Sequence, residues 1–98
     1  MEKRIETPAI GEILKDEFLA PMGISAYGLA KHINVPSSRI LDILHGKRRI
    51  TVETGLKLSR YFSLSDRFFI DLQAEIDVRN EKIALVTELA KIAPAKAG

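Results

Sequence analysis

The sequence predicts an all-α domain of five to six helices. Apolar residues recur at spacings of three and four along most of the chain, which is the period of a helix with one buried face. We find no segment of useful length in which apolar and polar residues alternate, as they would along a half-buried strand. With 98 residues, 46% hydrophobic and 29% charged, the chain has the size and balance of one small globular domain, so we expect residues 1–98 to form a single domain.

The first helix is predicted over 11–19, with Ile13, Leu14 and Phe18 on its buried face. Pro21 and Gly23 follow it. We expect the helix to stop before them, because proline lacks a backbone donor and glycine readily adopts the left-handed conformation that ends helices.

Two short helices and a tight turn come next. Ser25 is a good N-cap for a helix over 26–33. Asn34 tolerates the left-handed conformation that a tight turn between helices often needs. A third helix starts near Pro36, whose fixed φ suits a first turn, runs to about Leu44 and is ended by Gly46.

The remainder of the chain predicts further helices. Thr51 caps one that runs through Phe62, with Glu53 in its first turn near the positive end of the helix dipole. Ser65 is expected to cap the next helix, with Phe68, Leu72 and Ile76 stacked inward. The whole stripe is expected to be core: Phe68, Phe69, Leu72 and Ile76.

The C-terminal helices are predicted over about 65–92. The last one, from about Val78 to Ile92, carries an apolar face that either packs on its own domain or self-associates. Because so small a chain buries only a modest core, we favour a homodimer formed through Ile83, Val86 and Leu89. Residues 93–98 are predicted to be a frayed tail.

The segment over about 25–45 has the spacing of a helix-turn-helix. Six positions have the required character, and Ala30 is small where the second helix must approach closely. They are Leu29, Ala30, Ile33, Val35, Ile40 and Ile43. In such a motif the exposed N-terminal part of the second helix enters the major groove of double-stranded DNA.

A helical wheel identifies the side chains that would contact bases. We predict Ser37, Ser38, Arg39 and Asp42 as base contacts, and Leu41 as a possible neighbour of a thymine methyl. Arg39 is the best candidate for guanine, since a guanidinium can bond O6 and N7 together, and a carboxylate accepts from cytosine N4. Simple surface exposure or a salt bridge is the alternative for Asp42.

Positive charge is concentrated around this motif. Residues 31–60 contain seven lysines and arginines against two acidic residues, for a net charge of +5. Such a patch is the electrostatic footprint of nucleic-acid binding. We predict that the DNA backbone is contacted by Ser25, Tyr27, Lys31, Lys47, Arg48 and Arg49. The alternative for the basic triplet is an ordinary solvated turn.

The composition argues against an enzyme. The absence of cysteine excludes disulfides and thiol catalysis, and His32 and His45 have no partners at metal-ligand spacing. No glycine-rich phosphate loop or activated nucleophile is present, so we expect no catalytic residue, metal or cofactor. Apolar runs are short and the N-terminus has no apolar signal region, so we expect a cytoplasmic protein without membrane contact.

Three segments carry a resemblance to a known family. They are "GEIL" (Gly11–Leu14), "LAKHINVPSSRILDILHGKR" (Leu29–Arg48) and "RYFSLSDRFFIDLQ" (Arg60–Gln73). Together they resemble the HigA/VapI type of antitoxin within the Xre-like, or lambda-repressor-like, helix-turn-helix superfamily. The similarity covers roughly 11–73. Two positions depart from the family pattern: Ile10 stands where proline is common and Phe69 where tryptophan is common.

The resemblance implies a lambda-repressor-like domain that binds a pseudo-palindromic operator as a dimer, represses its own operon and neutralises a RelE-like (HigB-type) mRNA endonuclease toxin. Two alternatives stay open. One is a solitary Xre-like regulator without a toxin. The other is a toxin-neutralising interaction module with weak DNA binding, in which the acidic first helix, with Glu12, Asp16 and Glu17, pairs with a basic toxin.

Overall fold

The structure, a computed structural model, describes residues 8–96, and this part of the chain is all helical, as predicted. The first helix, α1, covers 10–22 in three consecutive segments, Ile10–Ile13, Leu14–Leu19 and Ala20–Met22. Five further helices follow: α2 (Ala26–Ile33), α3 (Ser37–Leu44), α4 (Val52–Tyr61), α5 (Phe68–Ala84) and α6 (Val86–Ala90).

Helix α1 extends past the end that we predicted. It continues through Pro21, and Gly23 ends it in the left-handed conformation at φ 64°. The segment Leu14–Leu19 just before the proline is π-helical, so its hydrogen bonds already depart from the α-helical pattern. A proline is tolerated there because the donor that it removes is not part of a regular α-helical ladder.

The core forms where α1, α4 and α5 enclose the α2–α3 pair. Its fully buried apolar side chains come from every one of these helices and include Leu14, Leu29, Ile40, Ile43, Leu58 and Phe69. Phe18, Phe62, Phe68 and Phe69 form an aromatic cluster, with ring centroids 4.9 to 6.2 Å apart in the pairs in contact. The predicted inward residues of α2 and α3 are confirmed.

Helix α1 meets the C-terminal end of α3 at Gly11. A Cβ atom at this position would lie 2.8 Å from the carbonyl oxygen of Leu44 and closer still to that of Ile43. Both obstacles are backbone atoms, which cannot rotate away as a side chain can. Glycine at position 11 is therefore the condition for the close approach of α1 and α3.

Helix α5 differs from the prediction in three ways. It is one continuous helix of 17 residues, so the predicted boundary at Val78 is wrong, and the chain bends instead at Leu85. Arg67 rather than Ser65 precedes it, and no side chain caps it. The buried face contains Phe69, Gln73 and Ile76, while Phe68 is 38% exposed. No glycine or proline interrupts 68–84, so nothing ends the helix at position 78.

Two N-caps agree with the prediction. The hydroxyl of Ser25 accepts from the backbone N–H of Gly28 at 3.0 Å, and that of Thr51 accepts from Thr54 at 3.4 Å. At the C-terminal end, residues 93–96 form no helix and are exposed, while 97–98 lie outside the described residues. No helix within 8–96 is long and apolar enough to cross a membrane.

Candidate nucleic-acid interface

Helices α2 and α3 form the helix-turn-helix. Asn34 ends α2 at φ 57° in the left-handed conformation, and the N–H of Val35 bonds to the carbonyl of Ala30 at 3.0 Å. This pattern closes a tight turn and satisfies the last carbonyls of α2. Ile40 and Ile43 of α3 then pack against the buried face of α2 in the same core. The angle between the two helices is fixed by this shared core.

The outward face of α3 carries most of the predicted base contacts. Ser38 is exposed at the first turn of the helix, whereas Ser37, Leu41 and Asp42 are half-buried. Pro36 is the N-cap residue, with φ −60° and ψ 140°, so Ser37 is the first helical residue. Ser37 and Ser38 stand at the N-terminal end of the helix, the part that enters the groove in helix-turn-helix proteins.

Arg39 is held by α4. Its Nη1 lies 3.3 Å from Oε2 of Glu53, and only 23% of the Arg39 side chain is exposed. The same Glu53 oxygen accepts from Nζ of Lys57 at 3.2 Å, and Lys57 also donates to the carbonyl of Asn34 at 3.3 Å. The hydrogen bond from Lys57 and then that from Arg39 lower the pKa of Glu53. One carboxylate thus links the predicted base-contacting arginine to the turn of the motif.

The basic triplet lies in a loop that is fixed where it leaves α3. Gly46 adopts a left-handed φ of 74°, and the N–H of Lys47 bonds to the carbonyl of Asp42 at 2.8 Å. The side chains of Lys47 and Arg48 are exposed, and neither forms an ion pair with any residue in 8–96. These two cations are therefore available to a negative partner.

Arg49 differs from its two neighbours. Its Nη2 forms an ion pair with Oδ2 of Asp77 on α5. The other oxygen of Asp77 accepts from Nε2 of the buried Gln73 at 3.0 Å, and Oε1 of Gln73 accepts from the backbone N–H of Ile50 at 2.9 Å. The far end of the basic loop is therefore attached to α5 by a connected polar network.

Ion pairing reduces the cationic patch that the sequence predicts. Four of its seven basic side chains have a carboxylate partner: Arg39, Arg49, Lys57 and Arg60. Arg60 pairs with Asp66 at 2.7 Å, and their hydrogen bond lowers the pKa of Asp66. The other three, Lys31, Lys47 and Arg48, are exposed and make no ion pair with a residue that the structure describes.

The remaining predicted backbone contacts lie on α2 and at its N-cap. Tyr27 is 65% exposed, and Lys31 is exposed one turn later. Ser25 is exposed but its oxygen is used as the N-cap acceptor, so only its hydroxyl hydrogen remains to be donated. Tyr27 and Lys31 are spaced i, i+4, and therefore point from the same face of the helix.

The chain is also similar in sequence to known proteins. No family model matches the chain. Virulence-associated protein I of Dichelobacter nodosus is 45% identical over 76 residues, which are 76% of this chain and 70% of that protein. The chain belongs to the HigA/VapI family of antitoxins.

Solved structures support membership of the HigA/VapI family over nearly the whole chain. A Pseudomonas aeruginosa protein in complex with its 18-bp operator DNA has a TM-score of 0.87 at 32% identity, covering 96% of this chain and 100% of that one. The antitoxin HigA of Pseudomonas aeruginosa, solved with the higBA promoter, has a TM-score of 0.82 at 32% identity, with the same coverage.

The two departures from the HigA/VapI pattern lie inside the protein. Ile10 is 6% exposed at the start of α1, and Phe69 is fully buried in the aromatic cluster. Neither residue belongs to the outward face of α3 or to the basic loop. The departures therefore concern packing and leave the candidate interface unchanged.

The predicted dimerisation residues of this HigA/VapI antitoxin lie apart from the helix-turn-helix. Ile83, at the end of α5, and Val86 and Leu89, on α6, are all exposed. Next to them an open groove of about 710 Å³ runs along the outer face of α5 and is lined by Val78, Ile83 and charged side chains. The exposed apolar residues thus form a second candidate surface, separate from the DNA-facing one.

Sequence reasoning missed two residues that attach the basic loop of this HigA/VapI antitoxin to α5, Gln73 and Asp77. Gln73 is 5% exposed and occupies a position on the buried face of α5. The available signal was its phase, since it lies four residues after Phe69 and three before Ile76. A polar residue in phase with a core stripe indicates a specific hydrogen-bond partner, because an unpaired buried amide is costly.

Proposed function

We propose that this chain is a sequence-specific DNA-binding antitoxin that represses its own operon and neutralises a RelE-like, HigB-type toxin. The observation that carries the proposal is the geometry of the helix-turn-helix. The outward N-terminal turn of α3 and the exposed cations of the following loop lie on one continuous stretch of the chain, residues 37–48. Family membership supports it, since a HigA antitoxin has been solved with its promoter.

The division of labour within this surface follows from chemistry. Ser37, Ser38 and Asp42 have short side chains with donors or acceptors that reach base edges from a helix in the major groove. Lys47 and Arg48 carry exposed charges just beyond the helix, where the sugar–phosphate backbone passes, and therefore supply affinity and register. Lys31 and Tyr27 on α2 add contacts to the backbone.

Operator binding further requires two copies of the motif. We propose a homodimer formed through Ile83, Val86 and Leu89, because these exposed apolar side chains have no partner in the described part of one chain. Such a dimer places two copies of α3 in successive major grooves, about 34 Å apart, over a pseudo-palindromic site.

Toxin neutralisation belongs to a separate surface. The exposed carboxylates Glu12, Asp16 and Glu17 lie on α1, outside the helix-turn-helix, and would complement a basic toxin. If the DNA-binding and toxin-binding roles are separate, a Lys47→Ala/Arg48→Ala variant should still neutralise the toxin.

The test is binding of the purified protein to a labelled fragment of its own promoter, measured by fluorescence anisotropy at low salt. We expect specific binding to the promoter and weaker binding to a scrambled fragment. The Lys47→Ala/Arg48→Ala variant should bind both weakly, whereas Lys15→Ala/Lys96→Ala, at exposed positions outside the helix-turn-helix and the proposed dimer surface, is the matched control for lost charge. Equal affinity for promoter and scrambled DNA would refute sequence-specific repression.

A second experiment tests the toxin. Co-expression with the neighbouring reading frame should relieve growth arrest caused by that frame alone. The Lys47→Ala/Arg48→Ala variant should relieve it equally well. Growth arrest that persists with the wild-type chain would leave a regulator without a toxin as the function.

A further inference from the structure

We propose that Arg49 does not bind DNA but positions the basic loop, as part of a tether that joins the loop to α5 through Gln73 and Asp77. The tether orients Lys47 and Arg48 toward the DNA backbone, so the proposal rests on the proposed DNA-binding function. The proposal divides the basic triplet into two residues that contact DNA, Lys47 and Arg48, and one residue that positions the loop, Arg49.

Gln73 is the buried centre of the tether. Its side chain is 5% exposed, its Oε1 accepts from the N–H of Ile50 at 2.9 Å and its Nε2 donates to Oδ1 of Asp77 at 3.0 Å. Because one end of the amide accepts and the other donates, only one orientation of the group satisfies both bonds. The backbone of the loop is thereby attached at a defined point of α5.

Asp77 completes the tether with both carboxylate oxygens. Oδ1 accepts from Gln73 and Oδ2 from Arg49. The Asp77 side chain is 34% exposed and that of Arg49 is 69% exposed, so the pair lies at the edge of the core. If Arg49 left for a phosphate, the Asp77 carboxylate would keep its negative charge near the DNA without a cationic partner, which opposes binding.

Lys47 and Arg48 lie between two fixed points. On one side, the N–H of Lys47 bonds to the carbonyl of Asp42 at the end of α3. On the other side, Ile50 is buried at 4% exposure and bonded to Gln73. A short loop held at both ends loses less conformational freedom on binding than a mobile one, and this preorganisation increases affinity.

The proposal is tested with Arg49→Ala, Asp77→Asn and the double variant, with Arg48→Ala as the matched control in the same loop. We expect each single variant to weaken promoter binding roughly three- to tenfold, the range that follows from loss of order in a side chain or two. The double variant should be no weaker than either single one. The slope of log K against log salt should stay at the wild-type value, whereas Arg48→Ala should reduce it by about 0.9.

The opposite results would overturn the proposal. If Arg49 binds phosphate, Arg49→Ala will flatten the salt slope as Arg48→Ala does. Asp77→Asn will then tighten binding, because it removes a competitor for the arginine. The sign of the Asp77→Asn effect therefore separates the two assignments even if one arginine variant folds poorly.

A measurement without DNA separates this proposal from the proposed function. Hydrogen exchange of the Ile50 amide in the free protein should accelerate in Arg49→Ala and in Asp77→Asn, but not in Arg48→Ala. Unchanged exchange in both single variants would overturn the tether. A wild-type protein that does not bind its promoter would refute the DNA-binding function, while the exchange data would still decide on the tether.

Discussion

Arg39 on α3 and Glu53 on α4 form an ion pair with 3.3 Å between Nη1 and Oε2, across 14 positions of the chain. The pairing restricts the residue that the sequence identified as the best base contact. A long arginine side chain otherwise has many rotamers to lose on binding. Glu53, in turn, is held by Lys57, so α4 supports α3 at its predicted base-contacting residue.

The first prediction concerns base preference. Arg39→Ala should relax discrimination at one base pair of the operator by about 1–3 kcal/mol, because a bidentate arginine–guanine contact is lost. Glu53→Gln should relax the same position, since Arg39 is no longer held. The measurement is binding to a set of operators with single substitutions. Glu81→Gln, at an exposed position of α5 outside this network, is the control that leaves the Arg39–Glu53 pair in place. Uniform loss over all positions would assign Arg39 to the backbone.

The second prediction concerns pH. Hydrogen bonds from Lys57 and Arg39 lower the pKa of Glu53 from its ordinary value of 4.5, so the folded state favours the charged carboxylate. The contribution of this charged carboxylate to the free energy of unfolding is present above pH 4.5. It is lost as the pH falls through the lowered pKa of Glu53 in the folded state. In urea unfolding between pH 7 and pH 3, Glu53→Gln should lack this part of the loss of stability at low pH. Glu81→Gln, in contrast, should follow the wild type.

The third prediction concerns salt. Lys47→Ala and Arg48→Ala should each weaken binding to all DNA sequences alike and flatten the salt slope by about 0.9 per lost phosphate contact. Titrations at several salt concentrations with promoter and scrambled fragments measure both effects. A change in the ratio of the two affinities would mean that these side chains contact bases.

The fourth prediction concerns packing. Gly11→Ala should lower the free energy of unfolding by about 1–3 kcal/mol or more, because its Cβ would press on carbonyl groups of α3. Chemical denaturation measures the loss. Glu12→Ala, at the next and exposed position, should leave stability nearly unchanged. Equal stabilities of the two variants would show that α1 can move away from α3 at little cost.

The fifth prediction concerns assembly. Val86→Glu and Leu89→Glu each place a charge on an exposed apolar surface and should shift the protein toward monomers in sedimentation experiments. Thr87→Glu, on the same short helix, is the matched control. Unchanged sedimentation of the apolar-site variants would exclude this surface as the dimer interface.

The sequence was sufficient for the helix-turn-helix because its signals are local. Ser25 and Thr51 cap their helices as predicted, and Asn34 adopts the left-handed conformation that its side chain tolerates. The buried positions of α2 and α3 follow directly from the helical period. These elements could be predicted because each depends on residues only a few positions away.

The sequence predictions were wrong where contacts between residues far apart in the chain determine burial and ion pairing. Phe68 and Phe69 are adjacent and equally apolar, and both rings contact Phe18, yet Phe69 also contacts Phe62 and is fully buried while Phe68 is exposed. The ion pairs of Arg39 and Arg49 join α3 to α4 and the basic loop to α5, across long intervals of the sequence. Net charge counted along the chain cannot show which cations are already neutralised.

The buried amide of Gln73 has a consequence for which positions can vary in sequence among members of this family. Exposed cations in the loop can be exchanged or moved one at a time, because each acts alone. Positions 49, 73 and 77 form one hydrogen-bonded unit, in which replacing any member removes a partner from a neighbouring member. Across relatives we expect these three positions to covary, while the loop residues between the two fixed points diversify along with the operators.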